Sequence, residues 1–143
     1  MDKSILINNV QIFDGSHEQT IRGNVLIENS RIKAISETPI PTDGISNPTI
    51  IDGKRKFLMP GLIDAHWHAY MSCNTMMDLL TADTAYTQFK AGQEAEATLL
   101  RGFTTIRDAG GPVFGLKRAI DEGILSGPRI YPSGSLILSL IHI

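Results

Sequence analysis

Beyond Pro60 the sequence alternates strand-like with helix-like segments, and this order restricts the fold more than any other feature. Leu62 to His68 reads as a strand, and after a polar loop the next periodic segment runs from about Thr84 to Arg101. Its Ala85, Phe89, Gly92, Ala95, Leu99 and Leu100 recur at three- and four-residue steps, the spacing of one helical face. Gly102 is placed to end that helix in a left-handed cap. Phe103 to Asp108 is a second strand, and Gly110-Gly111-Pro112 opens a second helix with proline in its first turn. Val113, Leu116 and Ile120 form the buried stripe of that helix, Gly123 closes it, and Arg129 to Pro132 is a third strand. Strand, helix, strand, helix, strand at this spacing predicts parallel strands joined by right-handed crossovers. A doubly wound sheet and a (β/α)-barrel both satisfy the pattern.

The preceding residues follow a different rule. Ile5 to Val10, Asn24 to Glu28, Arg31 to Ser36, Thr49 to Asp52 and Lys56 to Leu58 read as short strands, with turn chemistry at Asp14-Gly15, Asn29-Ser30 and Asp52-Gly53. Asn29-Ser30 is the best hairpin, with Val25 and Ile27 before it and Ile32 and Ile35 after it. Pro39, Pro41, Asp43, Gly44, Asn47 and Pro48 mark an irregular connection. The change of pattern near Met59-Pro60 predicts two parts, a small β module over residues 1–59 and an α/β part over residues 60–143.

Charge and cysteine content exclude some functions. A net charge of -2 over 143 residues, with Lys54-Arg55-Lys56 as the sole basic run, argues against a nucleic-acid or acidic-membrane partner. That short run reads as a solvated turn. The lone Cys73 cannot form an intrachain disulfide, and a reducing compartment is compatible with that. Asn8 and Asn9 interrupt the apolar start of the chain, so no signal peptide is expected and a cytoplasmic location is. No stretch approaches the roughly 20 apolar residues that span a bilayer.

The chemistry concentrates in Asp64-Ala-His66-Trp-His68. Residues two apart on a strand share a face, so Asp64, His66 and His68 are expected together, with Ala65 and Trp67 opposite. Two imidazoles about 6.6–6.8 Å apart along a strand can converge on one metal ion with bonds of about 2.0–2.1 Å. Asp64 either orients a ligand imidazole by accepting its free ring N–H or serves as a structural acceptor. An isolated His-x-His is weak, since chance and surface pairs are common. Here an apolar strand entered through Pro60-Gly61 ends in the pair, at the end where barrel enzymes build active sites.

Met59-Pro-Gly-Leu-Ile-Asp-Ala-His-Trp-His68 resembles the opening motif of the amidohydrolase superfamily, metal-dependent hydrolases of C–N and related bonds built on a (β/α)-barrel. Gly102-Phe-Thr-Thr-Ile-Arg-Asp-Ala-Gly-Gly111 and Gly127-Pro-Arg-Ile-Tyr-Pro-Ser-Gly134 resemble its imidazolonepropionase-like and prolidase-like members. The amino-terminal strands resemble the small β-sandwich that flanks the barrel in that group. The likeness covers roughly residues 4–134. It implies that His66 and His68 bind a divalent metal, usually zinc, in a site of one or two ions, and that the substrate is a small amide or dipeptide. In the family later strands supply a lysine, two further histidines and an aspartate that acts as ligand and general base, so no general base is expected within these residues. His142 does not match those later motifs.

A closed barrel takes about 250 residues, and residues 61–143 supply roughly a third of that. The expectation is therefore an amino-terminal portion of a TIM-like (β/α)8 barrel, about three strands and two helices, inactive alone. The apolar run Ser135 to Ile143 departs from the family pattern and reads as an artefactual end or a buried strand. The alternative is a non-catalytic product or weak metal-binding α/β fragment. A nucleotide-binding domain lacks support, because Gly110-Gly111 has no surrounding phosphate-loop motif and reads as a permissive turn. Asp108 is expected to cap the second helix, or else to organise the active-site mouth. Arg107, of opposite strand parity, is expected on the outside of the barrel. His17 reads as solvated and Cys73 as a structural thiol.

Overall fold

A computed structural model describes residues 4–135 of the chain. The apolar run beyond Ser135 and His142 lie outside the described residues. The chain divides into two compact units, Met1–Pro60 and Gly61–Ile143.

The first unit is a five-stranded sheet of β1 (Ile5–Ile12), β2 (Ile21–Glu28), β3 (Arg31–Ser36), β4 (Thr49–Asp52) and β5 (Phe57–Leu58), ordered β3-β2-β1-β4, with β5 also paired to β1. β1 and β2 are antiparallel, whereas β4 and β5 run parallel to β1. β1 and β2 each extend beyond the expected ends, because β1 is held on both sides. Asn29 and Ser30 both take positive φ, 51° and 59°, which gives the hairpin a twist matching its strands. β1 carries a bulge between Ile7 and Val10, where Asn9 sits at φ 55° and its side chain bonds Asp52. Val10, Ile12 and Val25 form the core, with Ile7, Ile27 and Leu58 packed against it. His17 is solvent-exposed as expected, but its Nδ1 lies 2.6 Å from Asp14 Oδ2. The backbone N–H of Ser16, and then those of His17, hold the Asp14 carboxyl below the usual carboxylate range.

The second unit opens with β6 (Leu62–Trp67), followed by α1 (Met76–Thr81), α2 (Thr84–Leu100), β7 (Phe103–Asp108), α3 (Phe114–Asp121) and β8 (Arg129–Pro132). The strands form one parallel sheet in the order β6-β7-β8, as the alternation predicts. Trp67, Ala69 and Tyr70, Ala91 and Ala95 of α2, Ile106, Val113 and Leu116, and Ile130 make one core between sheet and helices. Gly102 ends α2 at φ 98°, and its carbonyl accepts the Leu62 N–H.

Four expectations fail here. The loop read between His68 and Thr84 contains α1, whose Thr75 and Asp78 form a reciprocal capping box. On α2 Gly92 and Ala95 of the expected stripe are buried, together with Thr87, Ala91 and Thr98, whereas Phe89 is 79% and Leu100 81% exposed. Small side chains face the sheet because they let the helix axis approach it, and the bulky apolar residues mark a neighbouring face. Third, α3 begins after Pro112, with Val113 as its cap residue and no side chain capping it, so Asp108 is not its cap. Finally, Ile106, Asp108 and Ile130 lie on the helix-covered side of the sheet, so Arg107 and its partner Tyr131 lie on the side away from the helices. Arg107 is therefore not on the outer, helix-bearing face.

Candidate metal centre

His66 and His68 sit at the carboxyl end of β6, beside the carboxyl ends of the parallel strands β7 and β8. The apolar residues of β6 and the pairing of Leu62 to Phe103 and Ile63 to Thr105 fix the strand, and Trp67 anchors its end in the core. With Trp67 buried between the histidines in sequence, His66 is exposed and His68 half-buried. The two rings have centroids 5.1 Å apart and planes at 70°.

Metal–nitrogen bonds of about 2.0–2.1 Å at a tetrahedral angle put two imidazole centroids about 5 Å apart. The observed spacing fits one ion between the rings. Nδ1 of His68 lies 3.3 Å from the Gly110 carbonyl oxygen. A carbonyl only accepts, so this contact is a hydrogen bond in the tautomer with the proton on Nδ1, the neutral form that leaves the Nε2 lone pair for a ligand.

Asp64 does not join them as strand parity predicts. It pairs with Ile106 while Trp67 pairs with Asp108, three steps on β6 against two on β7, so the alternation breaks just before the histidines. Its Oδ1 accepts the backbone N–H of His66 at 2.9 Å. Of the two roles open to it in the sequence, this bond is the structural one.

Asp108 is fully buried. Its Oδ2 accepts the Ala69 N–H at 2.8 Å and its Oδ1 the Gly110 N–H at 3.0 Å. The first bond crosses from β7 to the residue after His68; the second closes an Asx-turn. Sequence reasoning missed the Gly110 carbonyl, since a backbone acceptor leaves no residue-type signal, although Asp-x-Gly does announce the turn that presents it. Gly110 sits at φ 151°, a conformation open to glycine.

The Cys73 Sγ donates to the Ala69 carbonyl at 3.2 Å, and burial pushes its thiol pKa up, away from nucleophile chemistry. Burial likewise raises Tyr70, whose hydroxyl bonds Gln88 of α2. Among the described residues, no group of three or more His, Cys, Asp or Glu side chains suits a metal ion, and no helix is long and apolar enough to cross a membrane.

Comparison with known proteins agrees with this arrangement of elements. The amidohydrolase family model matches residues 57–139, more than half of the chain. The 5'-deoxyadenosine deaminase of Methanothermobacter thermautotrophicus is 42% identical over 71 residues, 50% of this chain and 16% of that protein. Adenine deaminase 2 of Shouchella clausii is 35% identical over 75 residues, 52% of this chain and 13% of that protein. Among solved structures, an amidohydrolase superposes with a TM-score of 0.81 at 35% identity, over 93% of this chain and 32% of its own. A prolidase complexed with N-methylphosphonate-L-proline gives 0.80 at 31% identity, over 92% of this chain and 32% of its own. The chain thus spans about a third of the length of these solved neighbours. Its mixed α/β architecture is that of their matched region, and the chain belongs to the amidohydrolase family.

Proposed function

We propose that the protein carrying this chain is a metal-dependent hydrolase of a C–N bond in a small molecule, with His66 and His68 as ligands of a divalent metal, zinc by the donor set. The observation that carries this reading is the pair of rings 5.1 Å apart at the carboxyl end of β6, with His68 Nδ1 turned to a carbonyl. A bound zinc ion lowers the pKa of its water to about 7 and polarises a carbonyl or amidine carbon under attack. His68 is oriented through Gly110, and His66 supplies the second nitrogen. The deaminase and prolidase names of the relatives support a C–N bond at an sp2 carbon as the target. The parallel β6-β7-β8 sheet with its helices supports the reading of residues 60–143 as the first part of a (β/α)8 barrel, and of residues 1–59 as part of a flanking β-sandwich.

Two histidines fall short of the three protein ligands usual at catalytic zinc, so we take residues 1–143 alone to be inactive, at most a weak metal binder. The net charge of -2 supports a small-molecule partner over nucleic acid, and a cytoplasmic location, expected from the interrupted apolar start of the chain, is compatible with the single cysteine.

Replacement tests the assignment. In the protein carrying this chain, His66→Ala and His68→Ala each should lower bound zinc and turnover together, by about 10-fold or more. Full turnover at unchanged metal content in both variants would sink it.

A further inference from the structure

We propose that Asp108 is a positioning residue that sets the tautomer and orientation of His68 from beneath the site, an inference that rests on His68 being a metal ligand. Two independent bonds lead from its carboxylate to that ring. Oδ2 holds the N–H of Ala69, the residue following His68. Oδ1 holds the N–H of Gly110, whose own carbonyl accepts from His68 Nδ1. One carboxylate thus anchors both the peptide that carries the imidazole and the group that fixes its proton.

The choice of residue follows from this geometry. Asp108 is 0% exposed, and a carboxylate there costs desolvation that only charge-assisted bonds offset. Asparagine offers one acceptor oxygen, so its amide nitrogen would face a second N–H donor. A carboxyl group of this length presents one oxygen to Ala69 and the other to Gly110. The His68–Gly110 contact is long at 3.3 Å, so a small displacement of Gly110 breaks it. Backbone bonds at the strand ends also hold the platform: Ala109 N–H bonds the Trp67 carbonyl at 2.8 Å and Ser133 N–H the Asp108 carbonyl at 3.0 Å. Neither of these backbone bonds selects the proton position on His68; the Asp108 side chain does, through Gly110.

In the protein carrying this chain, the test compares wild type with Asp108→Asn and Asp108→Ala, using histidine-ring 1H–15N correlation spectra of the metal-free protein and zinc affinity by chelator competition. Wild type is expected to carry the His68 proton on Nδ1. Folded variants should show mixed tautomers at His68 and zinc binding weakened about 10–100-fold. A general loss of stability would not move the tautomer. A folded Asp108→Asn that keeps the Nδ1 proton and binds zinc within about twofold of wild type overturns the proposal. Should neither variant fold, the wild-type spectrum decides: a metal-free His68 protonated on Nε2 overturns it, and Nδ1–H with strongly downfield Ala69 and Gly110 amides supports it. Wild type that binds no zinc refutes the metal reading and leaves the tautomer result to judge Asp108.

Discussion

The Pro60-Gly61 entry to β6 shows how tightly single residues are specified near the histidines. A Cβ on Gly61 would lie 2.1 Å from Thr104 Oγ1, 2.3 Å from its Cγ2 and 2.7 Å from its Cβ, closer than atoms pack. Gly61→Ala should therefore destabilise the protein by about 1–3 kcal/mol, the range for overpacking, measured by urea denaturation. Thr104→Ala removes two of the three clashing atoms and should restore part of the loss. An unchanged midpoint in Gly61→Ala would mean that β6 and β7 do not approach as described. The histidine pair itself was visible in the sequence, because its spacing and its place at a strand end are properties of the chain. The break in register that separates Asp64 from it was not, since a bulge depends on which residue of β7 each residue of β6 meets. The same dependence decides Arg107, whose Nε donates to the Ala65 carbonyl at 2.6 Å on the face away from the helices.

Helix α1 is legible in hindsight at the level of the element. Thr75 precedes Asp78 by three residues, the spacing of a capping box, and both reciprocal bonds are 3.0 Å. The sequence signals no helix there, because six residues hold too little apolar periodicity. Thr75→Ala should cost about 1 kcal/mol of stability and loosen α1 first, seen as faster amide exchange there. The Thr75 backbone N–H, then its hydroxyl, and then Lys90 hold the Asp78 carboxyl below its ordinary 3.8. A lowered folded value stabilises the native state fully above the ordinary pKa and loses that effect as pH falls through the folded value. Protection of α1 amides should thus be steady above about pH 4 and decline below it; protection that stays level in acid would contradict the capping box. For α2 the periodicity located the helix and two of its buried residues, Gly92 and Ala95, while Ala91 is buried in place of Phe89, because apolar type alone does not say which side a sheet will occupy.

Across the molecule, each unit buries its own cluster, yet large apolar side chains remain open, including Ile63 at 72% exposure on β6 and Phe89 and Leu100 on α2. Where such side chains are contiguous they mark a binding face or an aggregation liability. The 143-residue chain expressed alone should bind a hydrophobic dye and elute from size exclusion as associated species. A dye-silent monomer would show that these side chains are covered in solution. Apart from α1, the sequence by itself determined the order and kinds of element, the parallel α/β pattern after Pro60 and the histidine pair, because periodicity, turn residues and spacing are local. Tertiary structure alone decided that Asp108 lies under His68 and that Gly110 turns its carbonyl to the ring. Those contacts join residues about forty positions apart, and only the pairing of β6 with β7 brings them within hydrogen-bonding distance.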